Sequence, residues 1–307
     1  MKILVTGGAG FIGSHIVDEY IKLGHEVGVI DNLSTGKREY VNPQAQFFQT
    51  DIQEKKEIQN IFTTFKPEIL NHHAAQMDVR KSVADPLNDA QINILGLITL
   101  LEAGRINNLK QVIFASSGGA VYGDTEILPT SETYLPQPAS PYGVSKLASE
   151  FYLHFYFRTY SIGYVALRYG NVYGPRQNPH GEAGVVAIFT QKILRGEQPV
   201  INGDGSQSRD FVYVSDIVSA NKAALLYKGN LIVNIGTGRA TDVNQIYREL
   251  SSLTHTNTPE IHGPVKLGEQ KMSLLDIKKA YKELRWKTQI DLNEGLKSTV
   301  AFFQNEK

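Results

Sequence analysis

Tyr142 and Lys146 are the first candidates for chemistry, because they stand four residues apart directly after Ser140 and Pro141. Pro141 favours the first turn of a helix, and a spacing of four places two side chains on one helix face. At pH 7 a tyrosine with an ordinary pKa of about 10 costs roughly 4 kcal/mol to ionise. One unit charge about 4 Å away is worth roughly 4 kcal/mol at an effective dielectric constant of about 20. We therefore expect one or two neighbouring positive charges, the Lys146 ammonium and a cationic cofactor ring, to favour the ionised form of Tyr142, which could then take a proton from an alcohol.

A serine from a neighbouring strand should assist this pair. Ser117 follows the apolar run Gln111–Ala115, so it would lie at the carboxyl edge of a sheet, where ligands bind. We expect Ser117 to hydrogen-bond the reacting hydroxyl and to orient it. Two alternatives stay open: Ser117 could only shape the turn, and the extra glycine in Gly118–Gly119 could make Ser116 the reacting serine.

A glycine-rich turn near the N-terminus predicts a phosphate site. Gly7 allows a tight turn, Gly10 lets a pyrophosphate approach the backbone, and Gly13 lets a helix pack closely on the sheet. The helix start at Phe11 and Ile12 offers free N–H groups and a positive dipole end to the phosphates. Since an apolar strand precedes the turn and a helix pattern follows it, the sequence predicts dinucleotide binding.

Asp31 indicates whether the dinucleotide is NAD or NADP. It ends the second predicted strand roughly twenty residues after Gly13, where a carboxylate accepts hydrogen bonds from the ribose and repels a 2′-phosphate. This favours NAD, although Asp31 could also only cap the turn Asn32–Gly36. Lys37 and Arg38 could bind a 2′-phosphate but lie beyond that turn. Further predicted cofactor contacts are Asn32, Ser34, Thr35, Gly36, Asp51, Ile52, His73, Ala74, Ala75, Gln76, Asn93, Ser116, Tyr142, Lys146, Tyr169 and Val172.

Two of these contacts have a second interpretation. Asp51 could meet the adenine edge, but it is an equally good helix N-cap. The pair His72–His73 could suggest a metal ion, yet adjacent strand residues point to opposite faces. No carboxylate or cysteine ligands stand nearby, so we expect no metal site.

The order of apolar runs and helix patterns predicts an α/β fold with a doubly wound parallel sheet of the Rossmann type. Residues 1–173 should form the NAD-binding domain and residues 174–307 a smaller α/β lobe for the substrate. A return of residues 211–240 to the first domain is expected, with a strand at Asn230–Ile235. Predicted strands are Lys2–Thr6, Glu26–Ile30, Gln46–Gln49, Glu68–His72, Gln111–Ala115 and Tyr164–Tyr169; predicted helices are Phe11–Leu23, Leu87–Ile106, Ala183–Arg195 and Val243–Leu253.

Composition excludes several classes of function. The 307 residues carry 31 basic and 31 acidic side chains, which gives no electrostatic reason to expect nucleic acid. Without cysteine there are no disulfides, thiolate nucleophiles or cysteine-bound zinc. No apolar run approaches the length of a membrane span, and the start of the chain has no signal-peptide pattern. We expect a cytoplasmic protein with a small-molecule substrate and no membrane partner.

Several stretches together resemble one family: the turn Thr6–Gly13, the Ser…Tyr-x-x-x-Lys set, and the segments Phe114–Gly123, Leu167–Gln177 and Gly203–Val214. The chain resembles the extended short-chain dehydrogenase/reductase superfamily and, within it, nucleotide-sugar 4-epimerases of the UDP-glucose 4-epimerase type. The likeness runs from Met1 to about Phe303. It implies that NAD takes a hydride from C4 of a UDP-hexose and returns it to the opposite face of the 4-keto sugar without leaving the enzyme.

The resemblance also implies substrate contacts. Arg209 would meet the diphosphate, although a structural salt bridge with Asp210 or Asp216 is the alternative. Lys266 stands where the family usually has arginine, which loses the bidentate fork. At Ser273 the family often has a tyrosine, so a serine predicts room for an N-acetyl group and turnover of UDP-GlcNAc. The full predicted substrate set is Ser117, Tyr142, Asn171, Gly184, Val185, Val200, Ile201, Asn202, Arg209, Lys266, Glu269 and Ser273.

Rival functions are separated by what the loop after Ser117 contains. Nucleotide-sugar dehydratases usually carry Asp-Glu there, and decarboxylases carry an acid, whereas this chain has Gly118 and Gly119. A UDP-glucuronate 4-epimerase is separated only weakly. A non-catalytic NAD-binding relative would typically lack Tyr142 or Lys146. The family implies a homodimer, but the aromatic stripe after Tyr142 (Leu147, Phe151, Tyr152, Phe155 and Tyr156) is interpreted as intramolecular core.

Overall fold

The computed structural model describes residues 1–180, 184–256, 259–265 and 270–306. Its main sheet contains seven strands, numbered in chain order: β1 (Lys2–Thr6), β2 (Glu26–Asp31), β3 (Gln46–Gln49), β4 (Ile69–His72), β5 (Gln111–Ser117), β6 (Gly163–Tyr169) and β10 (Asn230–Ile235). All are parallel, in the order β3-β2-β1-β4-β5-β6-β10. This confirms the predicted fold class.

Helices cover both faces of this sheet, which explains why its central strands are apolar throughout. One face packs against α1 (Phe11–Lys22), α9 (Val214–Ala224) and α11 (Lys278–Leu284). The opposite face packs against α2 (Lys55–Phe65), α5 (Gly96–Ile106) and α7 (Pro141–Tyr160). Strands β1 and β4 are neighbours whose crossovers leave in opposite directions, so a crevice opens at their carboxyl ends.

The helix predicted over Leu87–Ile106 is confirmed, with a π-helical turn inside it. The helical chain runs from α4 (Pro86–Ala90) through the π turn at Gln91–Leu95 into α5, and the separate short helix α3 (Val79–Ala84) precedes it. Asp78 and Asp85 cap the two short helices by accepting the amide N–H of Lys81 and Asn88. The spacing of apolar residues could not show the π turn, because a single π turn shifts the helical repeat by only about one residue.

The smaller lobe is built on a second sheet of four short strands. These are β7 (Asn171–Tyr173), β9 (Ser208–Tyr213), β11 (Ala240–Asp242) and β13 (Met272–Ser273), and β9 pairs with each of the others. A two-stranded sheet joins β8 (Ile201–Asn202) to β12 (His262–Gly263). The lobe's apolar core lies among α8 (Val185–Leu194), α10 (Val243–Leu253) and α12 (Leu292–Asn305).

Chain connections tie the two lobes together. Asp210 of β9 is fully buried and accepts hydrogen bonds from Thr237, Gly238 and Leu275, so β9, the loop after β10 and the segment after β13 are fixed to each other. Within 211–240, α9 and β10 both pack on the main sheet. In the part of the chain that the structure describes, no helix is long and apolar enough to cross a bilayer.

Candidate active site

The glycine turn lies between β1 and α1, above the crevice. Gly7 has a φ of 71°, and a Cβ there would lie 2.7 Å from the Ala74 amide nitrogen. A Cβ on Gly13 would overlap the Gly7 carbonyl oxygen. At Gly10 the backbone is extended, and a Cβ would meet nothing closer than that same oxygen at 3.2 Å. The fold itself thus requires Gly7 and Gly13, whereas at Gly10 the space is left open toward a ligand.

Asp31 lies at the end of β2 beside this turn. Its carboxylate accepts the amide N–H of Ala9 at 3.0 Å and of Leu33 at 2.8 Å. Burial raises the pKa of the Asp31 carboxyl, and the two N–H donors partly offset that rise. Because each oxygen uses one acceptor position, lone pairs remain for ribose hydroxyls. Asp31 therefore fixes the turn and can also accept from a ligand.

The loop after β2 packs against the glycine turn. The amide of Lys37 donates to the Ala9 carbonyl at 2.9 Å, and a Cβ on Gly36 would lie 2.9 Å from the Ala9 carbonyl carbon. Asn32 donates to Asp51 at 2.7 Å, which joins the ends of β2 and β3. The interpretation of Asp51 as a helix N-cap is wrong: it accepts from the amide of Gln53, and α2 begins later, after Glu54. Ser34 and Thr35 lie in the same loop.

Lys37 and Arg38 both have partners in the structure. The Lys37 ammonium lies 3.5 Å from Glu39, 3.6 Å from Glu306 and over the Tyr40 ring. The Arg38 guanidinium lies over Phe47 at 4.5 Å from the ring centre. These contacts are consistent with the preference for NAD that Asp31 predicts.

The segment after β4 forms the second wall of the crevice. Thr6 and His72 hydrogen-bond through their side chains at 2.7 Å, and the amide of Ala74 donates to the Thr6 hydroxyl at 3.2 Å. Burial lowers the pKa of His73 to about 3, so its ring is neutral beside the Tyr169 hydroxyl at 3.1 Å. Among the described residues there is no group of three or more His, Cys, Asp or Glu side chains that could hold a metal ion.

Gln76 and Asn93 are joined at this wall. Their mutual hydrogen bonds, both 2.9 Å, link the Gln76 backbone to the Asn93 amide. Ala75 precedes Gln76 on the partly buried wall. The side chain of Ile52 is buried in the core, so only its backbone is available to a ligand. Val172 packs partly on the other core cluster.

Tyr142 and Lys146 lie on the first turns of α7, as their spacing predicts. Ser140 caps this helix by accepting the Gly143 amide at 3.2 Å, and Pro141 occupies its first turn. The Lys146 ammonium is buried, donates to the Ala115 carbonyl at 2.9 Å and lies 5.7 Å from the centre of the Tyr142 ring. Helix α7 packs against β5, so the pair is brought to the carboxyl end of that strand.

The protein's own groups do not lower the pKa of Tyr142. Burial and the Asp89 carboxylate raise it to about 12, and hydrogen bonding to Ser117 opposes that rise. Burial lowers the pKa of Lys146 to about 8, against the opposing charges of Asp89 and Glu150. Desolvation thus outweighs the charges that the protein itself supplies, and of the two expected cations, Lys146 and the nicotinamide ring, only the first belongs to the chain.

The structure separates Ser116 from Ser117, since successive strand residues face opposite ways. Ser117 lies beside the Tyr142 hydroxyl and also accepts the Ala120 amide at 3.2 Å. Ser116 turns away and donates to Glu150 at 2.6 Å. Glu150 in turn forms a buried, two-pronged ion pair with Arg168, at 2.9 and 2.6 Å. The alternative of Ser116 as the reacting serine is wrong, and only its backbone can face a ligand.

Predicted substrate residues converge on β9 of the smaller lobe. Arg209 pairs in register with Ser273 of β13, and Asn171 of β7 pairs with Phe211. A Cβ on Gly119 would lie 3.8 Å from the Ser273 hydroxyl, so Ser273 overhangs the loop that follows Ser117. Asp210 and Asp216 are occupied by other donors, which weakens the alternative of a structural salt bridge to Arg209.

Other predicted substrate residues are placed at the rim. Gly184 caps α8 and Val185 begins it, while Val200 is exposed beside β8 with Asn202 partly buried. Ile201 is fully buried in the core of the smaller lobe, so a direct side-chain contact is excluded. Lys266 and Glu269 lie outside the described residues, as does Ala183.

Sequence reasoning missed two buried acids near the reacting pair. Asp89 is fully buried and accepts hydrogen bonds from Gln76, Asn93 and Ser145. Glu150 carries the ion pair to Arg168 behind β5. The sequence shows only that Asp89 and Glu150 are acidic residues within helices. Acidic residues are seldom fully buried, so the sequence alone would place both on an exposed helix face.

The doubly wound sheet, the glycine turn and the pair of a half-buried tyrosine and a buried lysine are those of a dinucleotide-dependent α/β enzyme. Residues 3–236 match the model of the NAD dependent epimerase/dehydratase family. The chain belongs to this family.

Three solved structures are similar over the whole chain. UDP-glucose 4-epimerase from Thermotoga maritima, solved with UDP-glucose, is 48% identical with a TM-score of 0.98, covering 100% of this chain and 99% of that one. UDP-glucose 4-epimerase from Thermus thermophilus, in complex with NAD, is 42% identical with a TM-score of 0.95 and covers 100% of both chains. UDP-N-acetylglucosamine 4-epimerase from Methanobrevibacter ruminantium, in complex with UDP-N-acetylmuramic acid, is 37% identical with a TM-score of 0.94, covering 100% and 99%.

Gly10 and Gly13 should respond differently to alanine. Gly10→Ala should cost about 1 kcal/mol of stability or less, because its backbone suits any residue, yet weaken NAD binding about tenfold or more by blocking the phosphates. Gly13→Ala should lower stability by roughly 1–3 kcal/mol through its clash with the Gly7 carbonyl. Calorimetric titration with NAD and thermal unfolding measure both. Wild-type NAD affinity in Gly10→Ala would contradict the assignment.

Proposed function

We propose that this enzyme catalyses the NAD-dependent 4-epimerisation of a UDP-hexose, interconverting UDP-glucose and UDP-galactose in the cytoplasm as a step of galactose metabolism. The observation that carries the proposal is the position of Tyr142, Lys146 and Ser117 at the carboxyl edge of the sheet beside the glycine turn. Similarity to UDP-glucose 4-epimerases over the whole chain supports it.

The residues around the crevice fit NAD. Gly10 leaves space for a pyrophosphate at the start of α1, and Asp31 has acceptor positions for ribose hydroxyls. The wall of His73 and Ala74 carries no charge, which suits contact with an uncharged part of the cofactor. When bound, NAD supplies a hydride acceptor and, once reduced, a hydride donor for C4 of the sugar.

Tyr142 acts in this proposal as the proton acceptor and donor for the C4 hydroxyl. With a pKa raised to about 12, the phenol needs additional positive charge before it can ionise at neutral pH. Lys146 supplies one such charge on the same helix face, and the positive nicotinamide ring supplies a second. Ser117, which lies beside the Tyr142 hydroxyl, hydrogen-bonds the C4 hydroxyl of the sugar and orients it toward Tyr142. Proton transfer is thereby confined to the cofactor-bound enzyme.

Arg209 and Asn171 hold the UDP-sugar in this proposal. Both lie on strands of the sheet that faces the crevice, and an arginine suits a diphosphate because its planar guanidinium donates in pairs. The loop after Ser117 argues against water elimination, since Gly118 and Gly119 provide neither an acid nor a base. A Cβ at Gly118 would lie 2.7 Å from Leu275, so the fold itself favours glycine there.

Replacing Tyr142 by phenylalanine should reduce kcat roughly 100- to 10,000-fold, because it removes the group that transfers the proton. The matched control is Tyr160→Phe, at the exposed end of the same helix, which should keep wild-type activity. The assay follows UDP-glucose formed from UDP-galactose, and a panel adds UDP-GlcNAc and UDP-glucuronate with NADH absorbance recorded. Net NADH accumulation would identify a dehydrogenase, and no conversion of any sugar would favour a non-catalytic NAD-binding protein.

Ser273 leads us to include UDP-GlcNAc and UDP-GalNAc among the substrates. Its side chain is small and overhangs Gly119, which itself carries no side chain. A tyrosine at this position would extend beyond the serine hydroxyl beside Gly119, so we infer that serine leaves that volume to the substrate.

Ser273→Tyr should abolish turnover of UDP-GlcNAc while UDP-galactose turnover changes less than about tenfold, since a tyrosine fills the space for the N-acetyl group without touching the proton-transfer pair. The measurement is kcat/KM for the two sugars in both enzymes. A wild-type enzyme that converts UDP-galactose but not UDP-GlcNAc would contradict the proposal. Equal loss of both activities in the variant would do so as well.

We further propose that two copies associate through α7 and the helices before it. The interpretation of the aromatic stripe as core is wrong for Phe151, Tyr152 and Phe155, which are 69%, 40% and 48% exposed, whereas Tyr156 is buried. Leu87 and Leu95 are exposed as well, at 76% and 56%. A large exposed apolar patch typically marks an interface, and the family resemblance favours a homodimer.

Phe151→Asp should therefore shift the protein from dimer to monomer in light scattering, because it places a charge at the centre of the patch. Leu226→Asp is the control: Leu226 is 79% exposed at the end of α9, away from α7, and its replacement should leave the mass unchanged. A monomeric wild-type protein would contradict the dimer.

A further inference from the structure

Asp89 is a fully buried carboxylate that the mechanism above does not use. It lies in α4, and one of its oxygens accepts from Asn93 and from Gln76, both at 3.0 Å. Its other oxygen accepts a short hydrogen bond from the Ser145 hydroxyl. All three donors are neutral side chains.

These hydrogen bonds join three parts of the site. Gln76 belongs to the crevice wall after β4, Asn93 lies in the π-helical turn, and Ser145 stands between Tyr142 and Lys146 on α7. Ser149, one turn further along α7, donates to the Asn93 carbonyl at 3.3 Å. π-helical turns inside helices often occur at functional sites. Here the turn places Asn93 against both the wall and the catalytic helix.

Asp89 also acts on the reacting pair through its charge. Its carboxylate raises the pKa of Tyr142 and the pKa of Lys146, in each case as the second cause after burial. In a buried setting such an effect is weakly screened. The titratable and charged groups that face this pair are Asp89 of α4, Glu150 of α7, and the neutral rings of His72 at the end of β4 and His73 directly after it. The Ser117 hydroxyl at the end of β5 hydrogen-bonds Tyr142.

We propose that Asp89 is a positioning residue of the epimerase reaction, which holds the α7 turn carrying Tyr142 and Lys146 against the cofactor wall and places a fixed negative charge beside both groups. The inference rests on the proposed function. Its consequence is that Asp89 sets the pH range of activity. Loss of its negative charge should lower both pKa values, so both limbs of the pH profile should move to lower pH.

The test compares Asp89→Asn with Asp85→Asn. The oxygen of an asparagine can still accept from Asn93 and Gln76, and its amide nitrogen can donate to the Ser145 hydroxyl, so the contacts are kept while the charge is removed. Asp85 is the exposed cap of the same helix. In Asp89→Asn the profile of kcat against pH for UDP-galactose should move down by roughly one pH unit. In Asp85→Asn it should match the wild type. An unmoved profile in Asp89→Asn, or an upward shift, would overturn the proposal.

A second variant tests the positioning itself. Asp89→Ala loses the hydrogen bonds as well as the charge, so its kcat should fall about 100-fold below that of Asp89→Asn, the scale of a misplaced catalytic group. Circular dichroism and NAD affinity check that it folds. Equal kcat in the two variants would overturn the positioning role.

A measurement without turnover separates this proposal from the proposed function. Ultraviolet titration of the NAD-bound enzyme, with the Tyr142→Phe signal subtracted, follows ionisation of Tyr142 directly. The Tyr142 phenol should ionise about one pH unit lower in Asp89→Asn than in the wild type. This result would support the role of Asp89 even if no UDP-sugar were epimerised, and identical titrations would contradict it.

Discussion

The proposed chemistry depends on one constraint: Tyr142 would have to lose its proton in a place where burial opposes the loss. The protein's own groups hold the pKa of Tyr142 at about 12, and they depress that of Lys146 to about 8. Neither residue is therefore poised for proton transfer by the fold alone. Positive charge from the cofactor has to complete the site, which links proton transfer to cofactor binding.

The topology makes this link possible. Parallel strands deliver their following loops to one edge of the sheet, so the glycine turn after β1, the wall after β4 and Ser117 after β5 meet there. Helix α7 packs beside β5 and presents Tyr142 and Lys146 at the same edge. In the second sheet β9 pairs with three strands, Asp210 fixes it to the loop after β10, and Ser273 of β13 lies next to Gly119 in the loop after β5. Hydrogen bonds and strand pairing thus connect the proposed cofactor site to the proposed substrate site.

Local patterns predicted much of this arrangement. Strand positions, the glycine turn and the four-residue spacing are properties of short segments, and they survive in the fold because each segment's own preference agrees with its surroundings. The π-helical turn, the burial of Asp89 and the turning of Ser116 toward Glu150 are not such properties. They depend on which side chains meet across elements far apart in sequence. The size of the desolvation that raises the pKa of Tyr142 depends on the whole environment for the same reason, and so does the contribution of Asp89.

Epimerisation with a resident cofactor predicts that the hydrogen on C4 leaves and returns within one active site. UDP-galactose carrying deuterium at C4 tests this most directly, with the UDP-glucose formed analysed by mass spectrometry and nuclear magnetic resonance. The account predicts that the product keeps its deuterium at C4 through many turnovers. Deuterium lost to solvent, or recovered in free NADH, would contradict it.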